Sequence, residues 1–210
     1  METYKAEGII LQTSDFGESN RVVTIFTKEF GKLDLNAYGC RRVKSPLSGA
    51  TQIFNHVSIE INSGAKVDSI HEAEILNFYP NLTADLDRLA YTALFFEIVN
   101  RMTLPKNIEP KIFNLLKKSL PVLNSRNPKI AALIGSCQFL QLSGFQNVEN
   151  YPENLRETFN KMLSFDWQTE TQLTFKPKLI ASAEKIFLNN VCSIIGKDLN
   201  ALKFIKQISQ

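Results

Sequence analysis

The sequence predicts an α+β protein in which a small barrel of five strands precedes an all-helical part. Three observations predict it. Residues 3–78 carry short β-rich runs whose apolar residues alternate at period two, the pattern of strands with one buried face. Turn residues separate these runs at a spacing of roughly a dozen residues, as in small antiparallel barrels. After Tyr79 and Pro80 the apolar period changes from two to about 3.6, the repeat of a helix.

The first strand is expected from Tyr4 to Thr13, where Glu7, Gly8, Ile9, Ile10 and Leu11 form a β-rich run. Ser14, Asp15, Phe16, Gly17, Glu18 and Ser19 read as the turn that closes it. A second strand follows over Arg21–Thr27, because Val22, Val23, Thr24, Ile25 and Phe26 are all β-branched or aromatic. Gly31 marks another turn. Beyond it Leu33, Leu35, Ala37 and Gly39 alternate with Lys32, Asp34, Asn36, Tyr38 and Cys40, which leaves one face apolar and the other wet. Arg41–Gly49 is a polar loop in which Pro46 and Gly49 block regular structure. In the fourth strand Ile53, Asn55, Val57, Ile59 and Ile61 alternate with Phe54, His56, Ser58 and Glu60, and Asn62, Ser63 and Gly64 end it. The fifth covers roughly Val67–Phe78. This count suits a five-stranded OB-type barrel, with an SH3-like barrel as the alternative.

In the second half, Asn81 and Thr83 are helix N-cap types, and Leu82, Leu86, Leu89, Ala90, Ala93, Leu94, Phe96 and Val99 make a helical stripe that Pro105 stops. Further helices are expected at 109–120, 129–142, 153–163, 177–194 and 198–207, with prolines and glycines between them. The organisation is therefore a barrel domain over residues 1–79 and a helical domain over residues 80–210.

Composition narrows the class. With 210 residues, 44% hydrophobic and 21% charged, and 15 Phe, the chain has the balance of a globular protein and not of a disordered one. No apolar run approaches the roughly 18 residues of a membrane span, since Glu97, Asn100 and Arg101 break the longest stretches. Met1–Gly8 holds Glu2 and Glu7 and no apolar segment of the secretory kind, so a cytoplasmic protein that meets no membrane is expected. Cys40, Cys137 and Cys192 are odd in number and widely scattered, which suits a reducing compartment. With only His56 and His71 besides, they form no recognisable zinc site, and neither metal nor cofactor is expected.

Net charge is only +3, but it is unevenly spread. Residues 1–78 hold eight Lys and Arg against ten Asp and Glu, whereas residues 79–210 hold sixteen against eleven. Within the barrel, Arg41, Arg42 and Lys44 crowd one loop with no acidic residue from Asn36 to Gln52. Such clusters attract phosphates and release counterions, although short basic stretches are also common on solvated faces. OB barrels bind single strands by joining cations to aromatic platforms. Tyr38 and Phe54 are expected on the outward faces of the strands flanking the loop, with Lys32 on the face of Tyr38. Those aromatics either stack bases or cover the barrel end. No catalytic constellation is visible: the glycines compose neither a phosphate-cradling loop nor a dinucleotide fingerprint, and Gly135-Ser136-Cys137 lacks the second glycine of a nucleophile elbow. A binding protein that is not an enzyme is expected.

Several segments together resemble the bacterial RecO family of recombination mediators. They are Glu7-Gly8-Ile9-Ile10-Leu11, the stretch Asp15–Arg21 leading to Thr24-Ile25-Phe26-Thr27, Phe30-Gly31-Lys32-Leu33, Gly39–Leu47, Gln52-Ile53-Phe54, the helix with Tyr91 and Glu97, Phe139–Phe145, and Ile195–Leu199. The resemblance implies an N-terminal OB domain, binding of single- and double-stranded DNA, annealing of complementary strands, and cooperation with RecR and single-stranded DNA-binding protein to load RecA in DNA repair. It carries Arg41, Arg42 and Lys44 over as DNA contacts. It further implies docking of the acidic, Phe-ended tail of single-stranded DNA-binding protein, for which Phe113, Leu116 and Leu120 beside Lys117 and Lys118 are candidates, unless that apolar spacing is a buried helix face. Many relatives carry a four-cysteine zinc module after the segment matching Gly144; residues 145–175 here contain no Cys. The alternative from another class is an interaction scaffold whose barrel binds protein without direct DNA binding.

Overall fold

The computed structural model describes residues 2–169 and 174–208. The chain divides into two compact units, Met1–Tyr79 with Thr103–Lys117, and Pro80–Met102 with Lys118–Gln210.

The first unit holds five strands, β1 (Thr3–Phe16), β2 (Asn20–Thr27), β3 (Gly31–Ala37), β4 (His56–Asn62) and β5 (Ser69–Asn77). Their order is β1-β2-β3-β5-β4, and β4 pairs back onto β1, so the ladder closes on itself. Every ladder is antiparallel except the single parallel pairing of Asn36 with Ser69 that joins β3 to β5. The period-two pattern is what fills the interior: Ile10, Val23, Ile25, Leu33, Leu35, Val57, Ile59, Ile61 and Ile70 all turn into one buried cluster. Sequence pattern and fold agree on the α+β class and on the five strands.

Three local differences matter for the loop region. Ser14, Asp15 and Phe16, expected in a turn, extend β1 and pair with Val22, Arg21 and Asn20. The turn itself shrinks around Gly17, whose φ of 60° is a left-handed conformation that glycine adopts without strain. The polar loop is interrupted by one helical turn, α1 (Leu47–Ala50), because Leu47 and Ala50 are buried and Pro46 opens the turn with a helical φ. Finally, β4 begins at His56 and not at Ile53. Phe54 has φ 72°, incompatible with a strand, and is buried.

Thr103–Lys117 joins the first unit through specific contacts. The Lys106 N–H donates to the Lys32 carbonyl at 2.9 Å, and Pro105 bridges to Lys32 at the start of β3. Gly31 lies against the backbone of Asn107, with φ 68° and no space for a side chain.

The second unit is built of helices α2 (Asn81–Ala84), α3 (Leu86–Met102), the later part of α4 (Pro110–Ser125), α5 (Pro128–Leu142), α6 (Glu153–Leu163), α7 (Pro177–Ile195) and α8 (Asn200–Ile208). A short 3-10 turn, Val148–Asn150, precedes α6. Its centre is α5, in which Ala131–Cys137, Phe139 and Leu140 are buried. Gly135 lets the ring of Phe95 on α3 approach so closely that a Cβ there would sit 2.9 Å from it. Helix α4 continues past Pro121, expected as its end. Pro121 is exposed and removes one backbone donor without breaking the turn.

Side chains finish the helix ends. Asn127 caps α5 by accepting from the Ile130 N–H at 3.1 Å. Arg88 donates to the Leu123 and Arg126 carbonyls at the end of α4, each at 2.7 Å. Glu97, held by Arg101 at 2.6 Å, accepts from the backbone N–H groups of Asn200 and Ala201 at the start of α8. Gln138 donates to the carbonyls of Met162, Leu163 and Phe165 and accepts from the indole of Trp167 at 2.6 Å.

Candidate nucleic-acid interface

The basic loop Tyr38–Pro46 is fastened to the end of the β1–β2 hairpin. The Gly39 N–H donates to the Asn20 Oδ1 at 2.9 Å, and the Arg41 N–H donates to the Ser19 carbonyl at 3.0 Å. These bonds replace the regular ladder that Gly39, at φ 65°, leaves behind. The loop is thus irregular but anchored.

Its three cations are not equivalent. The Arg41 Nε lies 3.2 Å from Asp15 Oδ2, and its Nη1 donates weakly to the Gly17 carbonyl at 3.4 Å. The other oxygen of Asp15 accepts from Arg21 Nε at 3.0 Å, and Arg21 also reaches the Thr51 carbonyl. One carboxylate therefore serves two guanidinium groups. Arg42 and Lys44 are exposed, and neither has a carboxylate partner among the described residues. Val43 between them is fully exposed.

Tyr38 adds an aromatic surface beside these cations. Its ring is 58% exposed, stands edge-on to Phe16 at 6.2 Å between centroids, and its hydroxyl accepts from Asn36 at 3.1 Å. Tyr38, Arg41, Arg42 and Lys44 are all exposed along this one loop. Phe16 and Asp15 join them from β1, a contribution hidden by reading Ser14–Ser19 as a turn.

Two expected members are elsewhere. Phe54 is 2% exposed, so the expectation of an outward stacking platform is corrected: its left-handed backbone turns the ring into the interior. Lys32 lies six residues before Tyr38 along β3 and its continuation, roughly 20 Å at strand rise. It is partly buried beside Pro105 and Lys106, and burial lowers its pKa.

The second basic cluster differs. Lys117 on α4 donates to Glu7 Oε1 at 2.7 Å, the same oxygen that lies 2.7 Å from His56 Nε2. His56 is buried, with Nδ1 2.9 Å from Asn77 Oδ1. Burial would raise the Glu7 carboxyl, but the hydrogen bonds and charges of Lys117 and His56 prevail and hold it below the usual carboxylate value. Lys118 is exposed. Phe113, Leu116 and Leu120 are all buried, Phe113 with its ring edge-on to His56, so these apolar residues are core and do not line an open slot for a peptide.

The outer face of the opposite strands has the reverse sign. Glu60 stands directly across from Glu72, and Ser58 across from Glu74, with Lys5 as the nearby counter-charge. Among the described residues no group of three His, Cys, Asp or Glu side chains could hold a metal, and no helix is long and apolar enough to cross a membrane. Burial pushes the Cys137 thiol up.

A five-stranded OB-type ladder that closes on itself and carries an exposed aromatic side chain and exposed cations on one loop, followed by a helical unit, defines the class of the fold. The family description "Recombination protein O N terminal" matches residues 1–79, and "Recombination protein O C terminal" matches residues 83–172. The chain belongs to the RecO family. It is 31% identical over 144 residues to the DNA repair protein RecO of Halalkalibacterium halodurans, a match covering 68% of this chain and 57% of that relative. To the DNA repair protein RecO of Bacillus cytotoxicus it is 30% identical over 141 residues, covering 67% and 57%. The matched stretch therefore spans little more than half the length of these relatives.

Proposed function

We propose that this chain is a recombination mediator that binds single-stranded DNA at the Tyr38–Pro46 loop and anneals complementary strands in recombinational repair. The observation that carries the proposal is the exposure, on one anchored loop of an OB-type barrel, of Tyr38 together with Arg42 and Lys44, which have no carboxylate partner among the described residues. The cations engage phosphates, and the ring offers one base a stacking partner while neighbouring bases stay open for pairing. Duplex DNA meets the same cations but has no unstacked base for Tyr38, so single strands gain the aromatic term and duplexes do not.

Annealing needs no catalytic side chain. Screening the phosphates of two strands lowers the repulsion between them, and base pairing supplies the rest. Lys111 and Lys118 on α4 are also exposed. Family membership supports a cytoplasmic, nucleoid-associated role alongside RecR and single-stranded DNA-binding protein, with RecA as the recipient of the strand. The test is annealing of complementary oligonucleotides, bare and coated with single-stranded DNA-binding protein, across a salt series. Faster annealing than the spontaneous rate, lost together with single-strand binding as salt rises, supports the reading. Absence of salt-sensitive DNA binding overturns it.

A further inference from the structure

Asp15 occupies a position that the binding role does not require. It is an acidic residue placed inside the cationic end of the barrel, and its two oxygens are divided between Arg21 and Arg41. Arg21 also donates to Thr51 and its side chain is only 15% exposed, so it is part of the scaffold. Arg41 is 38% exposed and faces the same solvent as Arg42 and Lys44. A carboxylate hydrogen-bonded to a guanidinium offers the charge and the paired oxygens that a phosphate would offer. The Nε side of the Arg41 guanidinium is therefore already met by an internal anion.

We infer that Asp15 is a positioning residue that holds Arg41 in reserve and sets single-strand affinity below what the loop's cations could deliver. The inference rests on the reading of this loop as the DNA contact. Strand exchange gives it a physical purpose, because a strand held by fewer phosphate contacts leaves faster to its next partner. Asp15 does so without adding a like charge at the rim: paired with Arg21 and Arg41 it leaves the trio at a net charge of +1. Glu18 in the same turn is exposed and has no cation partner among the described residues, so it supplies a comparison acid that restrains nothing.

The experiment is single-strand binding by full-length protein across a salt series, with wild type, Asp15→Asn, Arg41→Ala, Arg42→Ala, Glu18→Gln and the double variant Asp15→Asn/Arg41→Ala. Circular dichroism and melting temperature confirm the fold of each. Freed of its carboxylate, Arg41 adds one phosphate contact, so Asp15→Asn steepens the slope of log affinity against log salt by about 0.7. Affinity at low salt rises about fivefold, the scale of one unit charge at close range in water. In the Arg41→Ala background the steepening disappears. Arg41→Ala alone leaves the wild-type slope unchanged, whereas Arg42→Ala flattens it by about 0.7. Glu18→Gln leaves the slope unchanged.

An unchanged slope for Asp15→Asn overturns the inference and leaves the DNA-binding role standing. So does a steepening that persists without Arg41, which would be a general field effect. No salt-sensitive binding by wild type overturns the functional reading and this inference with it. Should Asp15→Asn fail to fold, the Arg41→Ala slope still decides: a flattening equal to that of Arg42→Ala shows that Arg41 was never in reserve.

Discussion

The loop Tyr38–Pro46 and the helix α4 carry similar clusters of cations in the sequence, yet the fold treats them in opposite ways. On the loop, two of three basic side chains project from an anchored backbone, and the third is held by a single shared carboxylate. On α4, Lys117 is drawn into a partly buried network with Glu7 and His56, and the apolar residues beside it are core. The difference teaches that a count of basic residues measures charge, while availability is decided by which carboxylates the fold brings within reach. Both restraining acids, Asp15 and Glu7, lie on β1, far in sequence from the cations they meet.

The sharpest way to break this comparison is to attack the apolar face of α4. Phe113→Ala removes a fully buried ring, and chemical denaturation is expected to show a loss of about 3–5 kcal/mol. A small loss would mean that this face is open after all and restore it as a peptide slot. Next in size is Tyr38→Ala, expected to weaken single-strand binding by about 1–3 kcal/mol per stacked base and to leave duplex binding nearly unchanged. Equal losses on both forms of DNA would make Tyr38 a general contact.

Salt titration separates the two cation clusters directly. Lys44→Ala is expected to flatten the single-strand salt slope by about 0.7, whereas Lys117→Met changes it little because Glu7 already neutralises that ammonium. The smallest effect is on stability. Lys117→Met is expected to cost about 0.5–1 kcal/mol at neutral pH, the range of a partly exposed ion pair. The Glu7 carboxyl is held below its ordinary value of 4.5, so its contribution is present above that pH and is lost as the pH falls through the folded value. The wild type and the variant are therefore expected to converge in acid-dependent melting experiments, and a gap that stays constant down to pH 2 would remove Glu7 from the account.

Much of this architecture was legible in the residues. Period-two alternation locates β3 and β4 because each buries one face, as Leu33, Leu35 and Ala37 do against solvent-facing Asp34, whereas β5 buries only Ile70 and alternates weakly. Helix α6 falls where proline and apolar spacing place it, over Glu153–Leu163. Alternation failed at Phe54, since a left-handed residue reverses the side chain's direction without altering the pattern of residue types. It failed at Ser14–Phe16 for the opposite reason: polar residues at the end of a long hairpin look like a turn although they pair in register. At the candidate site, the exposure of the loop cations and Tyr38 agrees with the loop reading. Asp15 was not legible, because its partner Arg41 is 26 positions away and only the closing of the hairpin onto the loop unites them.

Glu97 carries a consequence for the stability of the last helix. Helix α8 has nine residues, fewer than the roughly 12 that an isolated helix needs to persist in water. Its first backbone donors are met by a carboxylate on α3, more than a hundred residues earlier in the chain. Arg101 fixes that carboxylate one turn further along α3, so the acceptor is held in place by its own helix. The start of α8 is thus satisfied by a tertiary contact and not by a residue of its own segment, which ties its stability to the placement of α3.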